Sequence, residues 1–440
     1  MPDSPPAEVG TAKVSKWRKV RSWTLAVLTW GLLHRRRPVA AALVLGLVVA
    51  ALAWARPHLR AWHHLRAART EVQRYHTPQA IRHLRICREF WPRDPEVLLL
   101  AARAARRAGV YGDSERLLSI YLQDQGRDDD FVFEQLLLDA ECNQDQVVDQ
   151  CWQYVEEGRY DVPLLLEALT RGYLRRYRLG LARRCLDRWQ QLQPDNPQMF
   201  YLEGLFHLDY VHALSAAADS YRRAVELDAD HEEARLGLAV ALLTSRDFAN
   251  AAEHFERLRQ SQPDNARVQV GLAECRDGLG ETAEAMQLVD DVLARHPGLA
   301  AALSLRGQLA FKSGQLTEAE TWLRQAIRRN PMDHRACYSL VLCLDQTGQE
   351  DEAREMRRQL KQMEQDAERF NEIVTKEIAQ RPTDPALHCA MGQLLLRAGQ
   401  REEGVRWLQS ALQLDSSYAP ARQALADHLQ GKIESRPSSP

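Results

Sequence analysis

Signatures of catalysis are missing from this 440-residue chain. No phosphate-binding glycine loop, GxGxxG, GxSxG or HExxH motif occurs. No two of the 14 histidines stand three or four residues apart, the spacing that a helical metal pair needs. The eight cysteines (87, 142, 151, 185, 275, 337, 343 and 389) include no Cys-x-x-Cys, which excludes a zinc ribbon and a disulfide-stapled secreted module. They read instead as small core residues on helices. Period-two alternation of apolar and polar residues is absent too, so strands are not expected. Charge of one sign is also lacking. The 58 basic and 60 acidic side chains sum to −2, which excludes a chain whose whole surface binds nucleic acid. With 45% apolar and 27% charged residues, the chain is neither disordered nor a polytopic membrane protein. These absences point to a non-enzyme without metal or cofactor.

The near-neutral sum hides a gradient. Residues 1–37 carry eight bases against two acids, residues 56–93 carry nine arginines against Glu71 and Glu89, and residues 94–440 are left at −15. Between the two basic stretches lies the one long uncharged run, PVAAALVLGLVVAALAWA, residues 38–55. As a helix it would extend about 27 Å, against about 30 Å of hydrocarbon. Arg35, Arg36 and Arg37 bound it on one side, Arg56, Arg60 and Trp54 on the other. Ala53-Trp54-Ala55 has the form of a cleavage site, but the 37 residues before the run far exceed a signal peptide's basic region, so an uncleaved anchor is expected. Six bases precede the span and five follow it within 20 residues, which places the N-terminus in the cytoplasm and residues 56–440 outside it. Residues 1–37 then form a disordered or interfacial segment. Arg56, Arg60, Arg66, Arg69 and Arg74 would lie at the membrane surface, each adding about 1 kcal/mol of attraction to an anionic leaflet.

Proline positions reveal the organisation of the rest. Pro263, Pro297 and Pro331 are 34 residues apart, and Pro92 and Pro194 are three such periods apart. Twelve residues before most of them stands a small residue, followed by larger apolar ones: Ala182, Leu186 and Trp189 before Pro194, Ala251, Phe255 and Leu258 before Pro263, Ala319, Leu323 and Ala326 before Pro331. Steps of four and three trace one face of an amphipathic helix, which the proline ends. A second stripe precedes each set, such as Leu303, Gly307 and Ala310 before Gly314. Gly307 permits close helix approach there, and Gly314 opens the turn. Each unit is therefore helix, turn, helix.

This pattern resembles the tetratricopeptide repeat (TPR) family, in its membrane-anchored bacterial-type form. Carrying the resemblance are Ala239, Ala273, Gly307 and Gly392 at position 8, Ala217, Ala251, Ala285, Ala319 and Ala353 at position 20, Tyr221, Phe255, Leu323 and Leu408 at position 24, and the prolines at position 32. It implies an all-α solenoid of about ten units over residues 61–430, preceded by the single transmembrane helix 38–55. Unit 334–384 holds 17 additional residues within REMRRQLKQMEQDAERFNEIVTKEIAQ, read as a helix prolonged near 351–380. It either folds along the stack or projects as a docking arm or a coiled-coil-like self-association helix. Residues 419–430 repeat the first-helix pattern as a cap, and residues 431–440 read as a disordered tail. Apolar stripes in such a stack are buried between successive hairpins, leaving an open concave groove.

The resemblance implies groove residues at positions 2, 5, 9 and 12. These are Glu233, Leu236, Val240 and Leu243; Arg267, Val270, Glu274 and Asp277; Ala301, Ser304, Gln308 and Phe311; and Arg335, Tyr338, Leu342 and Asp345. That mixture of apolar groups and both signs of charge suits a peptide or helix better than a phosphate. The chaperone-binding branch of the family needs Lys at position 5 and Asn at position 9, and a chain with seven lysines lacks them. The implied function is a membrane-anchored scaffold or adaptor at the cell envelope that holds segments of other proteins. The alternative is a non-catalytic accessory subunit of an envelope enzyme, transport or assembly complex. Partners are thus other proteins and the lipid bilayer, with self-association left open and no nucleic acid.

Overall fold

The computed structural model describes Arg56, residues 58–142 and residues 145–431. The basic segment 1–37, the apolar run 38–55 and the tail 432–440 lie outside the described residues, and so do the anchor and tail expectations attached to them. Among the described residues there are helices and no strands, and no helix is long and apolar enough to cross a membrane. They form two compact units, one ending at Phe131 and one beginning at Val132.

The first unit contains α1 (58–73), α2 (Thr77–Phe90), α3 (Pro95–Arg107) and α4 (Tyr111–Gln125). Leu65, Ala68, Val72, Leu84 and Cys87 are buried between its helices. The Arg107 guanidinium lies 4.4 Å from the Tyr75 ring centroid and donates to the Val72 carbonyl at 2.6 Å.

The second unit continues with α5 (Asp129–Cys142), α6 (Asp145–Glu157), α7 (Val162–Arg175), α8 (Leu179–Leu192) and α9 (Pro197–Leu205), which widens into a π-helical turn, Phe206–Val211. Then come α10 (Leu214–Leu227), α11 (Glu232–Thr244), α12 (Phe248–Ser261), α13 (Ala266–Gly278), α14 (Thr282–Arg295), α15 (Ala300–Lys312), α16 (Leu316–Arg329) and α17 (His334–Gln346). The long α18 (Glu350–Glu372) runs into a second π-helical turn, Ile373–Glu377, before α19 (Pro385–Arg397), α20 (Arg401–Leu414) and α21 (Ala419–Leu429).

Two local devices fix where each pair begins and bends. First helices open on a polar side chain that accepts from the first-turn amides: Asp94 for α3, Asp161 for α7, Asn196 for α9, Asn265 for α13, Asp333 for α17 and Asp384 for α19. Each such cap contributes about 1 kcal/mol. Between first and second helix the chain passes through a left-handed residue, which is Gly109, Gly280, Gly314, Gly348 or Gly399 in five pairs. Tyr75, Tyr177, His212 and Arg246 occupy the same place elsewhere with φ between 54° and 64°. A bulky side chain there is strained, so something else must hold it.

Large side chains fill the space that small ones leave. Tyr221 of α10 is buried, and a Cβ added at Gly204 of α9 or Gly237 of α11 would meet its ring at 2.6 and 2.5 Å. Phe255 stands in the same relation to Gly271, and Leu323 to Gly307. Glycine at these positions brings the helices close enough for one ring to seal three of them. Seven of the eight cysteines are buried in these seams, where burial pushes the thiols of Cys151 and Cys275 up to about 12.

The expectation of burial only between successive hairpins is corrected at α18. Its first half follows the stack, with Leu360 and Met363 against Cys337 and Val341 of α17. Beyond Phe370 the chain turns inward. Ile373, Val374 and Ile378 join Leu387, Met391 and Trp407 in one cluster, and Tyr177 and Leu179 from the α7–α8 turn pack on it. The Tyr177 ring centroid lies 5.1 Å from Phe370, 5.6 Å from Tyr210 and 6.2 Å from Trp407. This aromatic clasp holds the left-handed Tyr177 and joins repeats nearly 200 residues apart. The apolar stripe of the prolonged helix is therefore covered by its own chain, not left free for self-association.

One buried and two half-buried histidines give the second unit a pH response. Burial lowers the pKa of His207, His254 and His388 from the ordinary 6.5, with nearby arginines adding to the effect. A base with a depressed folded-state pKa contributes fully above pH 6.5 and loses that contribution as the pH falls toward the folded value, because the unfolded chain takes up the proton first. Thermal melting of the full chain should fall as pH drops below 6.5, and His388→Gln should flatten that slope.

Candidate protein-binding groove

A groove of about 950 Å³ runs across α11, α13, α15 and the start of α17. Its floor is apolar, built from Val240, Leu243, Val270 and Leu305, with Phe248 and Phe255 beneath. Glycine forms part of the floor as well: a Cβ at Gly271 would strike the Phe255 ring at 2.4 Å, and one at Gly278 would strike Phe248 at 2.5 Å.

The walls carry charge that is tied from repeat to repeat. Arg335 of α17 donates to both carboxylate oxygens of Glu274 on α13 at 3.1 Å and to the Gln308 carbonyl of α15 at 3.2 Å. Lys312 donates to Asp277 at 2.7 Å, and the Thr282 hydroxyl donates to the same carboxylate at 2.9 Å. These bonds hold successive first helices in register. By contrast, the guanidinium groups of Arg246 and Arg267 have no hydrogen bond or ion pair among the described residues. Burial pushes the Asp209 carboxyl above its usual range, and the positive charge of Arg267 opposes that shift. The groove thus combines an apolar floor with two exposed guanidinium groups that no described side chain pairs.

Of the groove positions read from the sequence, Val240, Leu243, Arg267, Val270, Glu274, Asp277, Ala301, Gln308 and Arg335 line this space. Leu236 and Phe311 pack partly into the cores of their own repeats. Asp345 pairs with Arg357 of α18, Tyr338 is 53% exposed, and Leu342 is half-buried; none of the three lines the groove. Missed were Leu305 and Lys312, at positions 6 and 13, and Arg246 in a turn. The signal for the first two was available, since positions 6 and 13 sit on the same helical face as 2, 5, 9 and 12. The five arginines assigned to the membrane surface are all exposed, with Arg69 paired to Glu96. Exposed Leu59 and Trp62 stand among them on α1.

Residues 242–309 and 304–359, which supply most of this groove, match family models described as Tetratricopeptide repeat. The chain carries tetratricopeptide repeats. It is 26% identical over 235 residues to DnaJ homolog subfamily C member 7 of Mus musculus, covering 50% of this chain and 46% of that one. It is also 29% identical over 187 residues to a TPR repeat-containing protein of Pseudomonas aeruginosa, covering 42% and 29%. The chain spans less than half the length of these curated relatives. A tetratricopeptide repeat protein of Parabacteroides merdae, known as a crystal structure, is 14% identical, covering 65% of this chain and 99% of that one with a TM-score of 0.35. TPR proteins bind other proteins, and the tetratricopeptide repeats here place the first helix of each pair along the groove.

Proposed function

We propose that the chain is a non-catalytic scaffold that holds a peptide or helical segment of another protein in the groove between α11 and α17. The observation that carries this reading is the pairing of an apolar floor with the exposed guanidinium groups of Arg246 and Arg267, which make no hydrogen bond or ion pair among the described residues. The segment that fits presents apolar side chains to Val240, Leu243 and Leu305 and a carboxylate to Arg267. The exposed Leu59 and Trp62, set among Arg56, Arg60 and Arg66, support a location at a membrane surface, next in sequence to the uncharged run 38–55. An accessory subunit of an envelope complex would use the same groove.

A photo-crosslinking residue at Val240 of the full chain, with adducts identified by mass spectrometry, tests the proposal. Arg267 is exposed, so Arg267→Glu leaves the fold intact while reversing the charge. It should reduce adduct formation about tenfold or more, the worth of one charge-assisted bond. Adducts that survive the substitution undiminished, or no protein adduct at all, would overturn it.

A further inference from the structure

The clasp at Tyr177 borders a second, half-open cavity, of about 690 Å³, between the α7–α8 turn and α20. Three irregular backbone features converge on it. The left-handed Tyr177 is one, and the others are the two π-helical turns, which contribute Tyr210 and Val374 to the lining. Both kinds of irregularity carry a conformational cost and concentrate at ligand sites.

The chemistry of the walls is one-sided. Five arginines face the cavity (175, 176, 178, 183 and 406) against Glu141 and Glu403. Arg183 is held by Asp187 at 2.8 Å and Glu203 at 2.9 Å, and Arg406 by Glu403 at 2.9 Å. Arg178 differs: its guanidinium has no hydrogen bond or ion pair among the described residues. Across from it, His388 is held at both ring nitrogens. Its Nε2–H donates to the Pro382 carbonyl at 2.9 Å, and its Nδ1 accepts from the Ser410 hydroxyl at 2.9 Å. Burial lowers the His388 pKa, the hydrogen bond to Pro382 opposes that shift, and the charge of Arg178 adds to it. The remaining surface is apolar, from the rings of Tyr177, Tyr210 and Trp407, the first standing at 61° and 39° to the other two, and from Leu179, Phe206, Val211, Val374 and Ile378.

We propose that this cavity binds a small organic anion, a carboxylate or phosphate carried on a flat apolar body, with Arg178 on the anionic group and the Tyr177, Tyr210 and Trp407 rings around the body. Its volume falls in the range of small-molecule sites, and an unneutralised guanidinium beside π surfaces matches such a ligand. The site lies apart from the groove and uses none of its residues.

Isothermal titration calorimetry on the purified full chain, with indole-3-acetate as the carboxylate probe and adenosine monophosphate as the phosphate probe, tests the site. Saturable binding of either probe, weakened about tenfold or more in Arg178→Gln and unchanged in Arg267→Gln, is expected. The responding probe identifies the anionic group. Circular dichroism melting of Arg178→Gln checks that the fold is retained, and Arg178→Lys should recover part of the affinity. No binding of either probe to the unaltered chain, or equal binding to Arg178→Gln, would overturn the proposal.

Discussion

Tyr221→Ala should lower the unfolding free energy of the chain by about 3–5 kcal/mol, the cost of removing a large buried ring from a close-packed seam. The ring is 1% exposed and seals α9, α10 and α11 at once. The glycines facing it make the prediction sharper than a simple loss. In the unaltered chain, Gly204→Ala should itself destabilise by about 1–3 kcal/mol, because the new Cβ would sit 2.6 Å from the ring. In the Tyr221→Ala background the same change should stabilise, by about 0.5–1 kcal/mol, since the clash is gone and alanine is the better helix former. Urea unfolding of the four variants gives both signs. If Gly204→Ala destabilises equally in both backgrounds, the ring is not what requires glycine there.

Opening the clasp is the second large effect. Tyr177→Ala should cost about 2–4 kcal/mol, from lost aromatic packing against Phe370, Tyr210 and Trp407. Tyr177→Gly should be milder by about 1 kcal/mol, because glycine suits the left-handed backbone that any other residue strains. A cycle with Phe370→Ala should show a coupling of about 0.5–1.5 kcal/mol. Hydrogen exchange should report faster opening around residues 370–378 in both Tyr177 variants. Additive Tyr177 and Phe370 effects would show that the rings are neighbours without being partners.

Much of the repeat architecture was legible because it rests on local chemistry. A proline ends a helix, an Asp or Asn caps the next, and an alanine twelve residues before the proline marks the close-packed face; all of these recur at the repeat spacing. The groove was partly legible for the same reason, since Val240, Leu243, Arg267, Val270, Glu274, Asp277, Ala301, Gln308 and Arg335 follow from position within a repeat. Leu305 and Lys312 were one step outside the assumed stripe. Asp345 shows the limit of the rule, because an arginine from the atypical α18 reaches it. The clasp was not legible. Phe370, Ile373, Val374 and Ile378 stand out as an apolar stripe, but periodicity reports which side of a helix is buried and never which distant turn covers it. Tyr177 gave no signal either, standing where other repeats have glycine.

Stacks of like modules ordinarily tolerate the gain or loss of a whole module, since each touches only its neighbours. The closure through Tyr177 removes that freedom for the stretch between residues 177 and 407. Excising one 34-residue module from it would rotate and shift one jaw relative to the other, and the rings would no longer meet. The tally of modules in this stretch is therefore set by geometry, as the links in a bracelet are set by the wrist.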